Sequence, residues 1–147
     1  MSIRQAVRED VPQIADLVRS LAHYYLDSPD AVLPSWLNDT LTDDAFLMRI
    51  TSREYSNFVF DVADSVVGYI AIKEPGHLYH LFVSERFQGN GISRQLWEHV
   101  KENSGSTVFT VRSSLYAVPV YKRFGFSESG PAGIKDGVSF QPMELII

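Results

Sequence analysis

Leu81-Phe82-Val83-Ser84-Glu85-Arg86-Phe87-Gln88-Gly89-Asn90-Gly91-Ile92-Ser93-Arg94-Gln95-Leu96 is the stretch that decides the reading of this chain. Its first three residues end an apolar strand, a short turn follows, and two glycines open a helix whose apolar side continues through Leu96, Trp97 and Val100. The first turn of a helix carries N–H groups without intrahelical acceptors and the positive end of the helix dipole, so it attracts anions. Glycines let the backbone approach a phosphate with no side chain in the way. Gly89, Asn90, Gly91, Ile92 and Ser93 therefore read as an anion site, although a turn that needs positive φ would also select Gly-x-Gly. Two other phosphate loops are excluded. A dinucleotide fingerprint needs a third glycine where Arg94 stands, and a Walker-type loop needs a Gly-Lys-Ser/Thr that is missing.

Upstream of this stretch the period is two. Phe58 to Val62, Val66 to Lys73 and His77 to Val83 read as three strands joined by tight turns at Asp64-Ser65 and Pro75-Gly76, an antiparallel meander. Before the meander, Ser2 to Ala6 reads as a short strand. Asp10 offers an N-cap, with Pro12 in the first turn and Gln13 completing a variant capping box. Val11, Ile14, Leu17, Val18, Leu21 and Tyr25 recur at helical spacing, which predicts a helix ending near Leu26. A second, interrupted helical stretch contains Trp36 and Leu37, then a segment capped by Thr42. Downstream, the pattern predicts a helix from Gly91 to Glu102, a strand from Thr107 to Val111, a helix from Tyr116 to a stop at Gly125, and strands at Phe126 to Glu128 and Val138 to Ile146. This order predicts an α/β chain with a mixed sheet, α+β in its details, and helices on both faces.

At 147 residues the chain fits one domain, 1–147, with enough core to need no staple. The absence of cysteine removes disulfides, thiolate metal sites and a cysteine nucleophile together. No N-terminal signal pattern and no bilayer-spanning apolar run is evident, which predicts a cytoplasmic protein with no membrane partner. The net charge of −5 argues against a nucleic-acid partner. It is concentrated up to Asp64, where 11 acids face 5 arginines. An acidic half of this kind steers cations, or is simply a solvated surface.

The quoted stretch resembles motif A of the GNAT superfamily of N-acetyltransferases. Leu81-Phe82-Val83 matches the strand end, and Gln88-Gly89-Asn90-Gly91-Ile92-Ser93 matches Gln/Arg-x-x-Gly-x-Gly/Ala, with Ser93 departing at the last position. A second register starting at Arg86 also fits; the Gln88 register is preferred because Gly91 then lies at the helix start. Ser114-Leu115-Tyr116-Ala117-Val118-Pro119-Val120-Tyr121-Lys122-Arg123-Phe124-Gly125-Phe126 resembles motif B at Ala117, Tyr121, Gly125 and Phe126, while Ser114 replaces the usual asparagine and Val120 the usual phenylalanine. The resemblance covers nearly the whole chain.

It implies a sheet splayed at an acetyl-CoA site. The Leu81, Phe82 and Val83 backbone would hold the pantetheine arm, the Gln88 to Ser93 loop the pyrophosphate, and Ser114 would adjoin the cofactor. Tyr121 would be the general acid for the departing thiolate. A base from the strand before motif A points to His77, with Tyr79 orienting a water; strict alternation places His77, Tyr79 and Leu81 on one face and Leu78, His80 and Phe82 on the other. No metal site is expected. The resemblance also implies direct transfer to a small-molecule or peptide amine, with a homodimer as one assembly option. Aromatics beside carboxylates around His23, Tyr24, Tyr25, Asp27, Asp30, Trp36 and Asp39 would suit a cationic amine; ordinary core aromatics with solvated acids would look the same. A non-catalytic acyl-CoA-binding or sensing module on the same fold is the competing function.

Overall fold

The computed structural model describes residues 2–26 and 32–147. In chain order its elements are β1 (Ser2–Gln5), α1 (Val11–Leu21), α2 (Ser35–Asn38), α3 (Asp43–Thr51), β2 (Tyr55–Val62), β3 (Ser65–Lys73), β4 (His77–Val83), α4 (Ile92–Asn103), β5 (Val108–Ser113), α5 (Val118–Phe124), β6 (Ser127–Glu128), β7 (Gly133–Lys135) and β8 (Val138–Ile146). The sheet runs β1-β2-β3-β4-β5-β8-β6, with β7 also on β8, and every pairing is antiparallel except β4 with β5. β2, β3 and β4 are the expected meander. Ala63 and Asp64, both at positive φ, turn the chain between β2 and β3.

Two cores lie on the two faces. On one, Ile92, Leu96, Trp97 and Val100 of α4 and Tyr121 and Phe124 of α5 pack on Ile70, Leu78, Phe109 and Val111. On the other, Ile14, Val18 and Leu21 of α1 and Phe46 of α3 pack on Val59, Tyr69 and Ala71. α4 sits tight against the sheet because position 68 is glycine: a Cβ on Gly68 would lie 3.0 Å from Leu96 Cδ1 and 3.1 Å from Ile92 Cγ2. That approach sets the helix start directly beside the end of β4.

The N-terminal helix begins differently from the expectation. Asp10 makes no side-chain cap to α1. Its carboxylate instead accepts the Val7 N–H at 2.8 Å and a two-pronged contact from Arg4 at 2.8 and 2.9 Å. Gln13 turns away from it to clamp the β2–β3 turn, accepting from Val66 N–H at 2.8 Å and donating to the Asp64 carbonyl at 3.3 Å. α1 ends at Leu21, and a single 3₁₀ turn, Ala22–Tyr25, carries the chain on. Thr42 caps α3 as expected, accepting from Ala45 N–H at 3.1 Å.

Alternation along β4 also fails, for a local reason. The β3–β4 register shifts between Ala71 and Ile72, so that Ala71 faces His80 and Ile72 faces Leu78. A bulge of this kind turns the side chains beyond it to the other face. Leu78 and Leu81 therefore belong to the α4/α5 core, whereas Tyr79 and Phe82 pack on the α1/α3 core. His80 joins Tyr79 there, its ring among Phe46, Tyr69 and Phe82.

His80 is 4% exposed, and neither ring nitrogen has a hydrogen-bond partner among the described residues. Burial, then the nearby Arg49 guanidinium, push its pKa well below the ordinary 6.5. The folded protein thus holds it neutral, and the unfolded chain binds the extra proton once pH falls through about 6.5. Stability should therefore fall as the pH drops from 7.5 to 5.5. Chemical denaturation at the two pH values should show that loss in the wild type and a smaller one in His80→Phe, which keeps a ring in an aromatic cluster. An equal loss in both would assign the dependence to other groups.

Candidate active site

β4 and β5 pair at only two positions, His77 with Thr110 and Leu78 with Val111, and then diverge. Beyond Leu78 the β5-facing side of β4 has no strand partner. Ser84 donates to the Val67 carbonyl at 2.8 Å. Alternation in an antiparallel ladder then turns the backbone groups of Phe82 toward β3 and those of Leu81 and Val83 into the opening. Buried backbone groups need partners, and the chain supplies one of its own: Gln88 Nε2 donates to the Val83 carbonyl at 3.0 Å. The Leu81 N–H and C=O and the Val83 N–H remain for a bound molecule. Of the three residues expected along this arm, Phe82 is thus the one whose backbone is committed to the sheet.

The opening leads to the start of α4. Gly89 and Gly91 adopt φ of 81° and 79°, a left-handed backbone that side chains resist. Both glycines are required by the turn, which the Arg86 register of the motif satisfies without a departure. The preferred Gln88 register leaves Gly89 unexplained and asks for a small residue at Ser93, an ordinary helical position. Asn90 pins the loop from inside, donating to the Phe87 carbonyl at 3.1 Å. Among the described residues, no backbone N–H from Gly89 through Arg94 meets an acceptor, and a Cβ on either glycine would meet nothing within 4 Å. The result is a row of donors at a helix N-terminus facing open space. Arg94 locks this end to α5, donating to the Arg123 carbonyl at 2.9 Å.

A cleft of about 460 Å³ joins these parts, bounded by Leu81, Val83, Gln88, Gly91, Ser93 and Tyr121 among others. Tyr24 and Tyr116 stack at its mouth with ring centroids 4.2 Å apart, and the Tyr24 hydroxyl donates to Glu85 at 3.1 Å. Ser114 lines the cleft, but its hydroxyl already accepts the Ala117 N–H at 3.2 Å as the cap of the turn leading into α5.

A smaller hollow of about 50 Å³ opens where the strands part, with Tyr25 and Tyr79 from the α1/α3 face and Val111 and Tyr121 from the other. Tyr121 borders both spaces. It is 5% exposed, and its hydroxyl makes no hydrogen bond among the described residues. Burial, reinforced by Tyr25, pushes its pKa upward, so the phenol keeps its proton at neutral pH. Tyr25 is likewise raised by burial.

His77 is not brought to this site. It lies at the paired end of β4, where its Nδ1 is 2.8 Å from Thr110 Oγ1, and it borders neither space. Burial, then Arg112 and Lys73, lower its pKa. Of the aromatic–acidic cluster, Tyr24 and Tyr25 line the smaller hollow. Asp27 and Asp30 lie outside the described residues, Asp39 is exposed, and Trp36 is occupied with Asp136 at 2.8 Å and with Lys135 over its ring. Arg112 borders the smaller hollow, a place that sequence reasoning does not give it, because the strand expected from Thr107 to Val111 stops short of it, whereas β5 runs to Ser113. Among the described residues no group of His, Asp and Glu is placed to hold a metal ion, and no helix is long and apolar enough to cross a membrane.

A family model described as an acetyltransferase (GNAT) domain matches residues 26–147. No curated protein matches significantly. Among solved structures, a GCN5-related N-acetyltransferase from Rhodopseudomonas palustris aligns with a TM-score of 0.81 at 17% identity, over 99% of this chain and 95% of that one. The PaiA N-acetyltransferase of Thermoplasma acidophilum, in complex with coenzyme A, aligns with a TM-score of 0.79 at 16% identity, over 99% and 98%. The ribosomal-protein-S18-alanine N-acetyltransferase of Escherichia coli aligns with a TM-score of 0.72 at 19% identity, over 99% and 93%. At these identities the structural likeness bears on the fold.

Proposed function

Because the chain belongs to the GNAT acetyltransferase family, we propose that residues 1–147 act as one domain that moves the acetyl group of acetyl-CoA directly onto a primary amine. One observation carries this reading: a splayed strand edge with free backbone groups and a helix start with unpaired N–H groups share one cleft, and that cleft ends at a protonated tyrosine. The residues fit the cosubstrate. The N–H row from Gly89 to Ser93 at the positive end of α4 suits a pyrophosphate, and the open space before Gly89 and Gly91 leaves room for it. The Leu81 and Val83 backbone suits an amide-bearing arm.

When bound, acetyl-CoA supplies an activated thioester carbonyl. The chain's own groups do the rest. Backbone N–H groups fixed by the β3 ladder orient and polarise an oxygen at no reorganisation cost. As the N–C bond forms and the C–S bond breaks, Tyr121 would give its hydroxyl proton to the departing thiolate, and the proton lost from the nitrogen would pass to solvent, from which Tyr121 is reprotonated. Tyr79, on the smaller hollow, orients the acceptor side. With no cysteine in the chain, a thiol relay through the enzyme is unavailable, which supports direct attack.

Thiol release from acetyl-CoA should appear only when an amine is added from a panel of amino acids, polyamines, aminoglycosides and peptides. Binding of CoA with no release for any amine would leave the chain as an acyl-CoA-binding module and overturn the catalytic reading.

A further inference from the structure

The described lining of the smaller hollow bears a positive charge. Among its described lining residues there is no carboxylate, and the one charged group is Arg112. This guanidinium is held 4.0 Å over the Phe140 ring and forms no ion pair among the described residues. A second cation lies behind the same wall. Arg49 is 2% exposed, also without a carboxylate partner among the described residues, and its guanidinium sits 5.1 Å from the centre of the Tyr79 ring that lines the hollow. Its Nε has no hydrogen-bond acceptor. Arg49 is a buried cation and Arg112 an exposed one, and with no described carboxylate paired to either, both add positive potential along this wall.

We propose that Arg112 binds an anionic group of the acceptor, and that the acceptor is a small amine bearing a carboxylate close to its nitrogen, of the amino-acid type. The size of the hollow agrees: it holds about 50 Å³ against about 460 Å³ for the main cleft, so only the amine end enters. Arg112, exposed at the rim, meets what remains outside, and a planar guanidinium matches a carboxylate with two parallel donors. Tyr25 and Tyr79 add aromatic walls that carry no formal charge.

This inference rests on the acetyltransferase reading, and the test separates the two. Initial rates of thiol release are measured for the twenty amino acids, for each matching carboxamide and for spermidine. Calorimetry follows the binding of the best amino acid in the presence of CoA. At least one amino acid should exceed its own carboxamide at least tenfold in kcat/KM and should also exceed spermidine. In Arg112→Gln the acid-to-amide ratio should collapse toward one, chiefly through a higher KM for the acid, and the calorimetric affinity for the acid should fall in parallel. CoA affinity, measured separately, reports that the variant is folded. Carboxamides or spermidine turned over as well as the acids, or an acid-to-amide ratio untouched in Arg112→Gln, would overturn the carboxylate inference while leaving the transferase intact. No turnover of any amine would instead remove the reading beneath it.

Discussion

Tyr121→Phe should lower kcat at least tenfold while CoA affinity stays near the wild-type value. The substitution removes one oxygen and keeps the ring, whose contacts with Phe124 and Phe126 at centroid distances of 6.0 and 5.6 Å carry its packing. The phenol is buried, raised in pKa by desolvation, and placed at the junction of the two spaces. A phenol so placed carries, at neutral pH, the proton that a departing thiolate needs. General acids of this kind contribute about 10²–10⁴-fold, so a tenfold loss, about 1.4 kcal/mol of barrier, is the lower bound. Steady-state kinetics and calorimetry on the same preparation decide it. Weakened CoA binding with kcat intact would give the hydroxyl a binding role, and full activity would mean that the thiolate leaves unaided or takes its proton from water.

Gly91→Val should weaken CoA binding at least tenfold in a protein that still folds. The new Cβ meets nothing within 4 Å, so packing does not forbid it. Two other effects do the damage. A β-branched residue resists φ of 79°, at a cost of about 1–2 kcal/mol that is relieved by moving the loop. The side chain also enters the space in front of the N–H row, where the proposed pyrophosphate would lie. Calorimetry with CoA, beside a circular dichroism melt, reads both. Unchanged affinity in a folded variant would sink the phosphate assignment for this loop.

The loop around Gly91 is legible in the sequence because its chemistry is local. A strand end, two glycines and an amphipathic helix can be read from neighbouring residues, and the donor row follows from helix geometry. The same holds for the meander and for the Thr42 cap. His77 and Tyr79 are less legible. Their faces depend on one register shift opposite Ala71 and Ile72, and a bulge in one strand is set by how its partner packs. Asp10 has the chemistry of an N-cap, yet Arg4 from β1 and the Val7 N–H claim its carboxylate.

The order of residues along the chain is enough to fix a mixed sheet with helices on both faces and an anion-binding start to α4. Strand and helix faces repeat every two and every 3.6 residues, and a helix start carries its own unpaired donors, so these features need no knowledge of distant neighbours. Three-dimensional packing alone decides that β4 parts from β5 after Leu78, which frees the Leu81 and Val83 backbone. It also leaves His77 at the paired end and brings Arg112, Tyr121, Tyr25 and Tyr79 around one hollow. Those four side chains come from four separate parts of the chain. Their meeting depends on strand divergence and on a register shift, both of which are set by contacts between residues far apart in sequence and by no local pattern.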